Sequence, residues 1–137
     1  MPNDNSQGSG LDHSIIRYAD VLLMYAEVLN ELGNSKCYEY INMVRERAGL
    51  EPLQTMSKDA FREHLMLERA WELCFEGDRK FDLLRWGLYL DVMNETQSVV
   101  CGNANRSTVR SKKNLLYAIP AAEVAENKLL GGNNYGY

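Results

Sequence analysis

A chain of 137 residues, 45% hydrophobic and 25% charged, has the size and balance of one globular domain able to bury a core. Its formal net charge of −4, with no dense basic stripe, argues against nucleic acid as the main partner. No apolar run is long enough to cross a bilayer, and Cys37, Cys74 and Cys101 stand too far apart for a Cys-x-x-Cys metal or redox centre. Their odd number gives no disulfide framework, and Cys74, set between Leu73 and Phe75, reads as a small buried apolar group.

Residues 1–13 are polar and glycine-containing, the composition of a flexible leader, and they lack the pattern of a secretory signal. The first helix is expected over residues 14–32, capped by Asp12 or Ser14 and stopped by Gly33. Its apolar stripe reads as Tyr18, Val21, Leu22, Tyr25, Leu29 and Leu32. A second helix, capped by Ser35, runs to residue 48, where Gly49 and then Pro52 end it. Tyr38, Ile41, Val44 and Ala48 form its inner face. So short a link makes the two helices antiparallel, a tetratricopeptide-like pair of roughly 34 residues that needs neighbours to cover its apolar face.

A third helix is expected from Ser57 to residue 76, closed by Gly77, and a short fourth over 79–86, capped by Asp78 and closed by Gly87. Residues 88–93 add a turn, and the polar stretch 94–113 reads as a surface loop. Asn94 and Asn105 match the glycosylation pattern, a match common by chance. Residues 115–119 form an extended segment that must bury its apolar side chains. Pro120 opens a short helix containing Glu123, and Gly131, Gly132 and Gly136 permit an irregular closing turn in which Tyr135 and Tyr137 pack back. The fold class is all-α.

The most informative run is residues 68–87. Glu68, Glu72 and Glu76 recur at helical spacing, Arg69, Arg79 and Arg85 are placed to meet them and Asp82, and large apolar groups lie between. Such a row could hold a metal or do acid/base chemistry. A di-metal bundle, however, uses Glu-x-x-His pairs, and neither His13 nor His64 has a glutamate three residues before it. With three arginines and one lysine against five acids in the run, the composition is that of a neutralised network locking two helices together. No catalytic, metal or cofactor residue is assigned.

Arg17-Tyr-Ala-Asp-Val-Leu-Leu-Met-Tyr-Ala-Glu27, Asn30-Glu-Leu-Gly33 and Ile41-Asn-Met-Val-Arg-Glu-Arg-Ala-Gly-Leu50 form the first matching blocks. Glu68-Arg69, Glu72-Leu73, Phe75-Glu76-Gly77-x-Arg79, Asp82-Leu83, Arg85-Trp86, Leu116-Tyr-Ala-Ile-Pro120 and Asn133-Asn-Tyr-Gly-Tyr137 follow. In this order, over residues 15–137, they resemble the C-terminal region of SusD/RagB proteins, with Asn133 and Tyr135 departing from the family's Gln-Asn-Pro-Gly-Tyr ending.

The resemblance implies a C-terminal piece (residues 14–137) of a longer outer-membrane lipoprotein of Bacteroidetes, whose signal peptide and lipid anchor are not in this sequence. It implies non-catalytic glycan binding, without cofactor, and delivery of oligosaccharide to a TonB-dependent outer-membrane transporter. The family's glycan contacts lie mainly in variable loops, so none transfers to a residue here. Tyr18, Tyr25, Tyr38, Phe61, Phe75 and Phe81 read as core rather than sugar platforms, whereas Tyr89, Tyr117, Tyr135 and Tyr137 sit nearer loops. Two other readings are a tetratricopeptide-type protein-interaction module and a hydrolase using Glu72 and Glu76. The second fits poorly, since glycosidase carboxylates flank their substrate from facing elements.

Overall fold

The computed structural model describes residues 14–100 and 109–137, the side chains of 97–100 excepted. The leader 1–13, Cys101 and Asn105 lie outside the described residues. Every regular element among those described is helical. The chain divides into two compact units, residues 1–79 and 80–137.

The first unit is built on α1 (Tyr18–Glu31), α2 (Cys37–Arg47) and α3 (Lys58–Glu72), with α1 packed against both others. The α1 helix ends where expected. Gly33 takes φ +70, Asn34 N–H reaches back to Leu29 O at 2.8 Å and Gly33 N–H to Asn30 O at 3.0 Å, the paired closure that favours glycine. Gly49, at φ +75, closes α2 in the same way through Leu50 N–H to Arg45 O and Gly49 N–H to Glu46 O, both 2.9 Å. The starts differ from expectation. The α1 N-cap is Arg17, whose side chain makes no cap, and Ser14 Oγ turns to Ile16 O. At α2 the side chain that accepts an amide hydrogen is Asn34 Oδ1, from Lys36, while Ser35 accepts from Tyr38 N–H through its backbone carbonyl. Ser57 does cap α3, accepting from Ala60 N–H at 3.3 Å.

Leu22, Leu23, Ala26 and Leu29 of α1, Cys37, Ile41 and Val44 of α2, and Phe61 and Leu65 of α3 form the core. Phe61 is fully buried, contributes about 2–3 kcal/mol by burial alone, and meets Tyr38 edge-on at 4.9 Å. The core stripe of α1 is rotated from the expected one: Tyr18, Val21, Tyr25 and Leu32 are exposed, while Leu23 and Ala26 take the interior. Ala48 is likewise exposed, and Cys37 holds the inner place at the start of α2.

Residues 48–57 run back along α2 before α3 begins. Three α2 side chains spaced at helical intervals fasten this strap: Arg45 Nε donates to Glu51 O (3.0 Å), Asn42 Oδ1 accepts from Leu53 N–H (2.7 Å), and Tyr38 Oη accepts from Met56 N–H (2.9 Å). The strap returns the chain to the start of α2, so α3 runs parallel to α2 and antiparallel to α1.

Helix α3 stops at Glu72 rather than residue 76. Beyond it Phe75 has φ +66, a left-handed conformation uncommon for a non-glycine residue, and its side chain is fully exposed. Ending the helix there turns Leu73 inward and Cys74 outward, so Cys74 is exposed and Cys37 is the buried thiol.

The second unit holds most of α4 (Arg79–Arg85), then α5 (Tyr89–Val100), a 3-10 turn (Lys112–Leu115), α6 (Ala121–Glu126) and a last 3-10 turn (Lys128–Leu130). Helix α5 extends into the stretch expected to be loop. No glycine or proline interrupts residues 89–100, and the Asn94 side chain bonds outward to the backbone of Arg110 through Nδ2–H to O (3.1 Å) and N–H to Oδ1 (2.7 Å). The short helix after Pro120 forms, but none of residues 109–137 is buried, so the expected burial of 115–119 does not occur within this unit. Polar bonds hold the tail instead: Asn133 exchanges two with the backbone of Ile119 (2.8 and 3.0 Å), and Asn134 Nδ2–H reaches Tyr117 O at 2.7 Å. Tyr137 packs back over Lys113 Nζ at 4.4 Å, whereas Tyr135 stays exposed.

Candidate functional site

The acid row was the first place to seek chemistry, and each of its carboxylates is met by a guanidinium from α2 or from the start of α1. Arg17 forms a two-point bond to Glu76 (both 2.7 Å), adds Glu72 Oε1 at 3.0 Å, and donates to the terminal carbonyl of α3 at Glu72 O, 2.8 Å. Hydrogen bonding to Glu76 is the largest influence holding the Arg17 guanidinium above its ordinary pKa, against an opposing desolvation. Arg47 meets both oxygens of Glu72 at 2.6 and 2.7 Å, and Arg45 meets Glu68 at 2.7 Å.

Arg69 faces the other way, onto Asp20 of α1 at 2.8 Å, and this pair is the more deeply buried one, with side chains 4% and 12% exposed. At the opposite end of α1, Arg62 and Lys58 grip Glu31, whose carboxyl is drawn down to about 2, mainly by the Arg62 hydrogen bond. Arg85 meets Asp82 within α4, as expected, and Arg79 donates to Met66 O. The local reading of residues 68–87 missed Arg17, Arg45 and Arg47 because they lie 23 to 59 residues away in sequence. No spacing within residues 68–87 points to them, and Arg45 and Arg47 stand out only as two arginines in the last turn of α2.

Each of these carboxylates is engaged by at least one guanidinium. Glu72 and Glu76 are bridged by one guanidinium, Arg17 bonding Glu76 through Nε and Nη2 and Glu72 Oε1 through Nη1, rather than facing each other across an open gap, which is not the geometry of a carboxylate pair flanking a glycosidic bond. Among the described residues no group of three or more His, Cys, Asp or Glu side chains is arranged to hold a metal.

A small cleft of about 230 Å³ lies where α1 ends and the strap meets α3, lined by Asn30, Asn34, Ser35, Cys37, Tyr38 and Lys58. Its polar groups serve the fold: Asn30 Nδ2–H bonds Lys58 O, Tyr38 bonds Met56, and Lys58 Nζ bonds Glu31 O at 2.7 Å. Burial raises the pKa of the Cys37 thiol. The cleft is smaller than the roughly 300–1,000 Å³ of ordinary small-molecule sites.

The aromatics separate sharply. Phe61 is core and Tyr38 partly so, but Tyr18, Tyr25, Phe75 and Phe81, expected in the interior, are exposed by 69, 47, 102 and 60%. Tyr89, expected near a loop surface, is buried. Tyr117, Tyr135 and Tyr137 are exposed, and Lys80 Nζ sits 3.8 Å from the Tyr117 ring centre. Tyr25 meets Tyr40 edge-on at 4.6 Å, and burial followed by the nearby Glu39 charge raises the Tyr40 pKa.

An all-helical frame agrees with what comparison finds. The SusD family model matches residues 1–137. The chain belongs to the SusD family. SusD-like protein P2 of Formosa agariphila is 32% identical over 147 aligned positions, covering all of this chain and 28% of that protein. SusD-like protein P25 of the same organism is 44% identical over 88 residues, 61% of this chain and 17% of its own length. Among solved structures, a SusD superfamily protein of Parabacteroides distasonis aligns with a TM-score of 0.71 at 34% identity, covering 98% of this chain and 29% of that one. One from Bacteroides vulgatus aligns equally well, also at 34% identity, covering 85% and 26%. The chain thus spans about a quarter of the length of most SusD relatives it matches. In this SusD-family segment the arginine lattice ties α3 to α2 and to the start of α1.

Proposed function

We propose that this chain is the C-terminal frame of a cell-surface receptor that binds glycan without altering it and passes oligosaccharide to a partner TonB-dependent outer-membrane transporter. SusD-like proteins are carbohydrate-binding surface proteins of Bacteroidetes. The observation that carries the reading is the family match over the whole chain. The arginine-engaged carboxylates support a non-catalytic role. No helix among the described residues is long and apolar enough to cross a membrane, which agrees with attachment through a lipid rather than through these helices. Glycan capture would rest on exposed aromatic faces stacked on sugar rings.

Affinity electrophoresis tests this. The full-length polypeptide should be retarded by its cognate polysaccharide, and residues 1–137 should show weak or no retention. Absence of retention of the full-length protein by any polysaccharide tried, or strong Tyr- or Trp-dependent retention of residues 1–137, would overturn the reading. A digestion assay unchanged by Glu76→Gln is expected, and co-purification with the transporter rather than with unrelated peptides separates a receptor from a general peptide-docking module.

A further inference from the structure

The small cleft between the end of α1 and the strap keeps polar groups that the fold does not use. Asn30, only 6% exposed, gives one amide hydrogen to Lys58 O, and its Oδ1 has no partner among the described residues. A buried acceptor left without a donor is costly, and folded proteins satisfy one with water or a ligand. Beside it, Asn34 accepts from Lys36 N–H through Oδ1, and its Nδ2–H groups are unbonded among the described residues. The side-chain hydroxyls of Ser35 and Thr55 on the rim are likewise without a partner among the described residues.

These groups are all neutral, and carboxamides and hydroxyls between them both donate and accept. Lys58, the one charged side chain lining the cleft, spends its ammonium on Glu31 O at 2.7 Å and Glu31 Oε2 at 3.0 Å. The Tyr38 hydroxyl is taken up at both ends by Met56, so Tyr38, Met56 and Cys37 offer the cleft mainly apolar surface. Neutral donors and acceptors beside an apolar lining, with no uncommitted charge, select a small uncharged molecule rich in hydroxyls. A volume of about 230 Å³, below the range of ordinary drug-sized sites, suits one ring and not a chain.

We propose that this cleft binds a single neutral hexose ring. Asn30 Oδ1 accepts from a ring hydroxyl, Asn34 Nδ2 and the hydroxyls of Ser35 and Thr55 bond its neighbours, and the C–H edge of the ring lies against Tyr38 and Met56. The site follows from the chemistry of the cleft and does not rest on the receptor reading.

Cys37 lines the cleft and reports on its occupancy. The full-length polypeptide is treated with iodoacetamide with and without glucose, galactose or mannose, and Cys37 modification is followed by peptide mass spectrometry. A ligand of so few atoms has a Kd on the order of 10 mM, so about 100 mM of at least one hexose should slow Cys37 labelling about tenfold. Glucuronate, whose carboxylate finds no uncommitted cation, should leave the rate within about twofold of the sugar-free value. Ser35→Ala/Thr55→Val removes two exposed hydroxyls that bond nothing in the described fold, and should abolish the protection with the melting temperature unchanged. Slowing of less than about twofold by all three hexoses would overturn the proposal, as would equal slowing by glucuronate. Equal slowing in the Ser35→Ala/Thr55→Val variant would reveal general exclusion of sugar from the protein surface and overturn it too. Polysaccharide retention is a separate measurement, so either result can fail while the other holds.

Discussion

The sharpest energetic prediction concerns Arg69 and Asp20. Their side chains are 4% and 12% exposed and meet at 2.8 Å, so Arg69→Met would leave a carboxylate facing the core of the first unit without this partner. Breaking a buried pair from one side costs about 3–5 kcal/mol, because the desolvated charge remains. A unit of 79 residues has a stability on the order of 4–12 kcal/mol, so the loss is a large fraction of the whole. In melting it corresponds to a fall of roughly 15–30 °C for a domain of this size. The companion Asp20→Val/Arg69→Met removes both charges and should recover most of that loss, within about 1 kcal/mol of the parent. Far-ultraviolet circular dichroism melts of the parent, both single variants and the double variant form the cycle. Arg69→Met melting within about 5 °C of the parent, or a double variant no more stable than the single, would refute the reasoning and show the pair to be solvated.

Arg17→Ala should cost less, about 1–2 kcal/mol by urea denaturation, because Arg47 still meets Glu72 and Glu76 is partly exposed. Gly49→Ala should cost about 1–2 kcal/mol in the same assay, from the left-handed backbone, since a methyl there meets nothing within 4 Å. Asn133→Ala removes both bonds to Ile119 and should speed proteolytic clipping of residues 116–137 several-fold while leaving the main melting transition within about 2 °C. Glu31 is held below its ordinary 4.5, near 2, so its contribution is full above pH 4.5 and disappears as the pH falls through 2. Because Glu31 is exposed, the advantage over Glu31→Gln should be about 1–2 °C at pH 6 and absent near pH 2, as read by pH-dependent melts.

The first three helices, their order and the glycine stops of α1 and α2 were legible because they are written locally. Gly33 and Gly49 sit one residue past their helix caps, where only a left-handed residue closes the last carbonyls. The inner face of α1 was not, because its apolar residues form two neighbouring stripes. Choosing between them required knowing where α2 and α3 lie. The aromatics followed the wrong stripe for the same reason, and Tyr18 and Tyr25 are exposed. The partners of Glu68, Glu72 and Glu76 escaped a reading confined to residues 68–87, since a long-range ion pair leaves no spacing signature. The strap bonds of Tyr38, Asn42 and Arg45 were hidden similarly: each looks like an ordinary helical side chain until residues 51–56 return beside it. No ligand-contacting residue was assigned, because an aromatic side chain carries no ligand signature in sequence by itself.

The closing tail is ordered by amide and phenol groups rather than by carbon packed away from water. None of its own residues is buried, so peeling it off wets little hydrocarbon of its own and should add little to the heat-capacity change and the denaturant slope. It would loosen gradually over a wide temperature range while the frame upstream stays intact. A seam of that kind can detach and re-seat many times during the lifetime of the folded frame.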